Sequence, residues 1–336
     1  MERQISKLRI LSLISCILFL FTCAKKMLPP SPDRFPPHLS EINPINRIKI
    51  DLIFDEDINL SKITNMSFTI NSYNEETLKI RTVSRGSNAQ TISLFTEPTK
   101  SEVYYLSGTF EDKSGNPSSV SNKKFHASTY MDTIKPKINA VSPAINTTKK
   151  YKRIFFDFSF SKPMDTTSGI NFLVYPLDKM KINWSWSTGW QNLIFTYPDS
   201  LEPKTNVYFI LQPTIKDLEG NQLDLVGYTF FTSETVQPPA LITGNIYYQN
   251  KPYKNSIVIL SADEKTSALA VSDNLGKFTT RLVKGIYNIT AIADTNFDNL
   301  IDLFADYNNF NTDDTIKPQL NLTPVLESKE IDSYIR

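Results

Sequence analysis

Apolar and polar residues alternate with a period of two over short stretches along most of this chain. Ile48, Ile50, Leu52 and Phe54 are separated by polar or outward positions, and Ile154, Phe156, Phe158 and Phe160 repeat the pattern. Alternation over seven residues predicts a strand with one face in a core and the other in solvent. Tyr287, Ile289 and Ala291 line one face in the same way, and Ile257-Val-Ile-Leu260 supplies a further strand. The stretches are β-branched or aromatic and end at Pro, Asn, Asp or Gly, the residues that turn a chain. A 3.6-residue period is hard to find. The pattern predicts an all-β protein with about seven strands per hundred residues, the density of β-sandwiches.

The strands recur in two copies. Asp33, Pro37, Leu39, Ile42 and Pro44 match Asp132, Pro136, Ile138, Val141 and Pro143 at a fixed offset. Further on, Phe95-Thr96 matches Phe195-Thr196, Val103-Tyr104 matches Val207-Tyr208, and Asp112-Lys-Ser-Gly115-Asn116 matches Asp217-Leu-Glu-Gly220-Asn221. Phe125 and Phe230-Phe231 close the two units. Self-similarity with drifting offsets is the mark of a duplicated fold with loop insertions. The Asp-x-x-Gly-Asn element predicts a turn whose glycine has positive φ and whose Asp bonds its own backbone.

Composition removes most enzymatic chemistry. The 336 residues hold 10 Gly, 2 His and 2 Cys. No glycines are spaced for a dinucleotide loop, a phosphate loop or a nucleophile elbow, and neither His38 nor His126 begins a zinc helix. A net charge of +1 offers no field for nucleic acid. The chain is therefore expected to be no enzyme and no nucleic-acid binder.

Both cysteines lie near the N-terminus. Arg3, Lys7 and Arg9 precede the uncharged run Ile10–Thr22, which is long enough for a secretory core and shorter than the ~20 residues of a membrane span. The run ends at Leu20-Phe-Thr-Cys23, which resembles the lipobox of bacterial lipoproteins. That resemblance implies a signal peptide over 1–22 and a lipidated Cys23. Cys16 follows a similar local sequence, but cleavage there leaves an apolar mature end. An ordinary signal peptide or an uncleaved anchor are the alternatives. Residues 23–37 contain MLPPSPDRFPP and form a Pro-rich tether, extended and semi-rigid.

Residues 132–236 resemble the SbsA-type bacterial Ig-like domain of surface-layer proteins. The resemblance rests on Asp132 and Pro136, Phe160-Ser-Lys-Pro-Met-Asp165, Trp184-Ser-Trp186, Phe195-Thr-Tyr-Pro198, Lys216-Asp217-Leu-Glu-Gly220-Asn221 and Tyr228-Thr-Phe-Phe-Thr232. Residues 38–131 read as a divergent copy, with Phe54-Asp55-Glu56-Asp57 in place of the Pro-Met-Asp element. Residues 237–323 follow Gln237-Pro-Pro239 and resemble the carboxypeptidase regulatory-like domain, through Gly244-Asn-Ile246, Asp273-Asn-Leu-Gly276-Lys-Phe278 and Leu282-Val-Lys-Gly285-Ile-Tyr287-Asn-Ile289. These resemblances imply three tandem β-sandwich domains, two Ig-like and one transthyretin-like, ahead of a tail over 324–336, with no catalytic residues.

Two clusters carry candidate chemistry. Asp294, Asn296, Asp298 and Asp302 have the oxygen spacing of a calcium loop, with Asn299 at the position that wants Gly. Trp184, Trp186 and Trp190 lie around a hairpin turn at Ser187-Thr-Gly189 and present either packing surface or a sugar-stacking platform. The resulting expectation is an envelope lipoprotein, anchored to a membrane at Cys23 and sorted to the outer membrane. It would act as structural spacer or adhesive module toward an envelope protein or polysaccharide. A carbohydrate-binding accessory protein is the alternative.

Overall fold

The computed structural model describes residues 33–143, 154–200, 206–231 and 240–335. The signal peptide, Cys23, most of the tether and the Gln237-Pro-Pro239 linker lie outside the described residues. Helical structure among the described residues is confined to three short 3-10 turns, Leu60–Lys62, Lys179–Lys181 and Ile331–Tyr334.

The first module has strands β1 (Leu39–Asn46), β2 (Lys49–Phe54), β3 (Phe68–Ser72), β4 (Thr77–Leu78), β5 (Ile80–Arg85), β6 (Thr91–Thr96), β7 (Val103–Glu111) and β8 (Pro117–His126). They pair as two sheets in the orders β1-β2-β6-β5 and β4-β3-β7-β8. The second module has β9 (Ile138–Ser142), β10 (Ile154–Phe160), β11 (Phe172–Tyr175), β12 (Asn183–Trp186), β13 (Asn192–Tyr197), β14 (Asn206–Leu211) and β15 (Val226–Phe231). Its sheets run β12-β13-β10-β9 and β11-β14-β15. Strand for strand this is the topology of the first module without β4, so the sequence repeat is a repeat of fold.

The alternating residues of β2 and β10 point where their period placed them. Ile50, Leu52 and Phe54 are buried with Ile70 and Leu106, while Phe156, Phe158 and Phe160 are buried with Phe195 and Phe209. Phe158 meets Phe195 edge-on at 5.8 Å and Phe209 at 5.2 Å, so the second core is chiefly interlocked rings.

Two sequence matches slip by one residue. Ile50 pairs with Leu94, whereas its counterpart Phe156 pairs with Phe195. Leu94, not Phe95, is therefore the equivalent of Phe195, and Phe95 lies on the opposite face. Tyr104 likewise packs in the first core, whereas Tyr208 faces away from the second and Val207 and Phe209 face in. A one-residue slip reverses every side chain of a strand, so identical dipeptides here serve opposite faces.

The third module has β16 (Ala240–Tyr248), β17 (Lys251–Pro252), β18 (Ile257–Ala262), β19 (Lys265–Val271), β20 (Lys277–Leu282), β21 (Ile286–Ala293), β22 (Leu303–Asn311) and β23 (Gln319–Pro324). The order is β17-β16-β23-β22-β21-β18-β19, with β20 also on β16. β16 and β23 are parallel; the other pairs are antiparallel. The curled sheet closes over Ile246, Val258, Leu260, Phe278, Ile289 and Leu320.

Candidate functional site: turns and junctions

The Asp-x-x-Gly turn occurs once per module. The glycine N–H donates to the Asp carbonyl in each, from Gly115 to Asp112, Gly220 to Asp217 and Gly276 to Asp273. The glycines have φ of 87°, 89° and 69°, a region that costs any residue with a Cβ. Each Asp also accepts from the N–H four residues on, at 2.7 Å from Asn116, 2.9 Å from Asn221 and 2.9 Å from Lys277. Burial alone raises the Asp112 carboxyl, but the hydrogen bonds from Asn116 and the turn outweigh it and hold the group below its ordinary value.

In the first two modules the Asn of this turn clasps the incoming chain. Asn221 Nδ2 donates to the Asp132 carbonyl at 2.9 Å, and Asn116 Nδ2 to the Asp33 and Phe35 carbonyls at 3.2 Å. The turn thus decides where each module begins.

The second module's turn also builds the junction with the first. Glu219, whose side chain is 2% exposed, receives Arg47 Nη2 at 2.6 Å and Arg47 Nε at 2.9 Å. That two-point pairing raises the Arg47 guanidinium further above its ordinary value. Arg81 reaches Asp165 at 3.5 Å beside it. Gly189, with φ of 84°, leaves only 3.2 Å between its missing Cβ and the Val83 carbonyl of the first module.

The junction between the second and third modules is apolar. Leu173, Tyr208, Ile210 and Leu225, on the outer face of β11-β14-β15, share one buried cluster with Leu269 and Ala270 of β19. Gly227 admits Val271, which comes within 2.9 Å of where a Cβ would stand. The Tyr175 hydroxyl donates to the Thr266 carbonyl, and Lys179 pairs with Asp332 at 2.9 Å. Burial pushes the Tyr208 phenol up to about 12.

The residues singled out from sequence are placed as follows. Trp184 is 46% exposed. Trp186 is half-buried against Phe160 at 5.8 Å, and Trp190 is half-buried in the hairpin turn with φ of 57°. Trp184 and Trp186 pair with Phe195 and Leu193, on the core side at the sheet edge.

In the Asp-rich loop, Asp294 accepts from the N–H groups of Phe297 and Asn299 at 2.6 and 2.8 Å, and Asp302 from Thr295 at 2.7 Å. Burial raises the Asp294 carboxyl despite those bonds. Asn299 has φ of 71°, and its Oδ1 accepts from Gln212 Nε2 at 3.2 Å, docking the loop on the second module. His38 and His126 are exposed, and His38 lies 3.3 Å from Asp55.

Sequence reasoning missed the junction residues Arg47, Glu219, Leu173 and Tyr208. For the apolar junction the one signal was the unbroken apolar run Val207–Leu211, too uniform for a strand with a wet face.

Residues 132–235 match the family described as bacterial Ig-like domain. The match spans the strands of the second module and the turn that carries Glu219. The N-terminal part of the bacterial S-layer protein SbsC is similar at 11% identity, over 60% of this chain and 45% of that one, with a TM-score of 0.26. Domains A168–A170 from titin are similar at 12% identity, over 86% of this chain and 98% of theirs, with a TM-score of 0.25. The chain spans less than half of that SbsC structure. No curated protein matches. No helix among the described residues is long and apolar enough to cross a membrane.

Proposed function

We propose that this chain is a lipid-anchored spacer of a bacterial envelope, holding its distal module at a set distance and orientation from a membrane. The observation that carries this reading is that both junctions are closed. A bidentate Arg47–Glu219 pair with a 2%-exposed carboxylate joins the first and second modules. A continuous apolar cluster joins the second and third. Modules joined by bare linkers reorient freely, whereas packed junctions transmit position. Cys23 and the Pro-rich tether would supply the anchor and the stand-off. The third module, read as a carboxypeptidase regulatory-like domain, would present loops and strand edges to an envelope partner.

The spacer reading is tested by pulsed electron resonance on spin labels at the exposed Ser119 and Lys317. A narrow distance distribution is expected, broadened in Glu219→Ala. A distribution already broad in the otherwise native chain sinks the spacer.

A further inference from the structure

Beside the two copies of the Asp-x-x-Gly-Asn turn, one facing residue differs in charge, Lys162 in the second module and Glu56 in the first. In the second module Asp132 and Asp217 flank the ammonium of Lys162. Its Nζ lies 2.7 Å from Asp132 Oδ2 and 3.2 Å from Asp217 Oδ2, and donates to the Ile134 carbonyl at 2.6 Å. A cation is thus built into the seat between the turn and the incoming chain.

The first module repeats the seat without that cation. Asp112 stands for Asp217 and Asp33 for Asp132. Asn116 stands for Asn221, reaching Asp112 Oδ2 at 2.7 Å and the Asp33 carbonyl at 3.2 Å. Met164 bridges to Asp217 as Ile58 bridges to Asp112, so the residue two positions earlier is Lys162 in one copy and Glu56 in the other. A carboxylate therefore replaces the ammonium. One ligand oxygen each from Asp33, Glu56 and Asp112 lies within 4.8 Å of the others. Among the described residues no ion pair reaches any of the three: nearby Lys113 goes to Asp57 at 2.6 Å, and His38 to Asp55 at 3.3 Å.

Three carboxylates at this spacing repel unless a cation or a proton joins them. Burial raises the Glu56 carboxyl, with Asp33, Asp112 and Asp55 adding to it, while the turn's hydrogen bonds hold the Asp112 carboxyl below its ordinary value. We propose that Asp33, Glu56 and Asp112 bind a hard divalent cation, calcium, in the seat that Lys162 fills in the sister module. The sister copy shows the matched Asp pair already ligating a positive charge, and the swap to Glu56 turns an internal counter-ion into a site for an external one.

An all-oxygen donor set with no nitrogen or sulfur favours calcium over transition metals, and water can complete its six to eight ligands. Asp33 belongs to the segment arriving from the tether, so the ion ties that segment to the buried turn.

The test is calorimetric titration of the full chain in detergent with calcium chloride, alongside thermal unfolding in calcium and in chelator. A dissociation constant of about 10⁻⁴–10⁻³ M is expected, the range of extracellular calcium modules. Asp33→Asn should weaken binding about tenfold or more. Glu56→Lys should remove one calcium per chain and, by rebuilding the sister seat, unfold in chelator no lower than the native chain. Glu56→Gln gives the same loss of calcium should the lysine misfold. Unchanged calcium stoichiometry and affinity in all three variants overturns the site. So does calcium lost in Asp298→Ala but retained in Glu56→Gln, which assigns it to the third module's loop. A melting temperature set by pH alone, with no calcium response, also overturns the site and leaves a proton shared by Glu56 and Asp33.

Discussion

Gly115 and Gly220 are the residues on which the repeated turn depends. Neither has an atom within 4 Å of where a Cβ would stand, so replacing them costs backbone strain and nothing else. Gly115→Ala and Gly220→Ala are each expected to lower stability by about 1 kcal/mol in urea unfolding, and Gly→Asn by less, since Asn tolerates positive φ. Equal losses for Ala and Asn would show that the left-handed conformation is not what the glycine supplies. Gly276 differs, because its Cβ would stand 2.4 Å from the Ile246 carbonyl and 2.9 Å from the Tyr253 nitrogen. That turn needs its glycine for space as well as for conformation.

At the scale of elements, β14 explains both a property and a misreading. Its residues Val207–Leu211 are all buried, Val207, Phe209 and Leu211 in the second module's core and Tyr208 and Ile210 against the third module. Tyr208 must stay neutral there. A phenol raised from 10 to about 12 contributes stability that is complete below pH 10 and is lost as pH rises through 12. Alkaline titration should therefore loosen this junction between pH 10 and 12. Tyr208→Phe should reduce that pH-dependent loss, read as the difference in unfolding midpoint between pH 9 and 11.5, leaving the share of Tyr175, which burial also raises; an unchanged difference would mean another group drives it.

The same burial hid the strand's phase from the sequence. β2 and β10 were legible because one face is wet and the alternation is clean. β6 and β14 are buried on both faces, so hydrophobicity carries no period, and the matches of Phe95 with Phe195 and Tyr104 with Tyr208 landed one residue off. The turns were readable down to their glycines and side-chain acceptors, because their chemistry is local. Arg47 and Glu219 were not, because 172 positions separate them and nothing in either neighbourhood announces the other.

At the scale of the whole molecule, the proposed anchor lies at the N-terminus, in the lipobox-like segment that ends at Cys23. The proposed acylation at Cys23 would place the chain in the membrane fraction, and two acyl signals are needed for stable anchoring. Cys23→Ala is expected to move the protein from the membrane to the soluble fraction on alkaline washing and fractionation. Retention of the variant would show that the apolar run Ile10–Thr22, rather than a lipid, holds it.

The sheet β11-β14-β15 has one further consequence, for inheritance. Because it is the wall of two cores at once, the second and third sandwiches cannot be recombined separately: a chain ending after residue 231 would bare Leu173, Tyr208, Ile210 and Leu225 together. The first sandwich meets its neighbour through the Arg47–Glu219 and Arg81–Asp165 pairs and the Gly189 turn, and the two share no buried apolar cluster among the described residues. The bond between Met131 and Asp132 is thus the seam at which such a gene could be cut and respliced, since Ser128 and Tyr130 bond the first sandwich and Asp132 and Ile134 the second, and the last two sandwiches would travel as one piece.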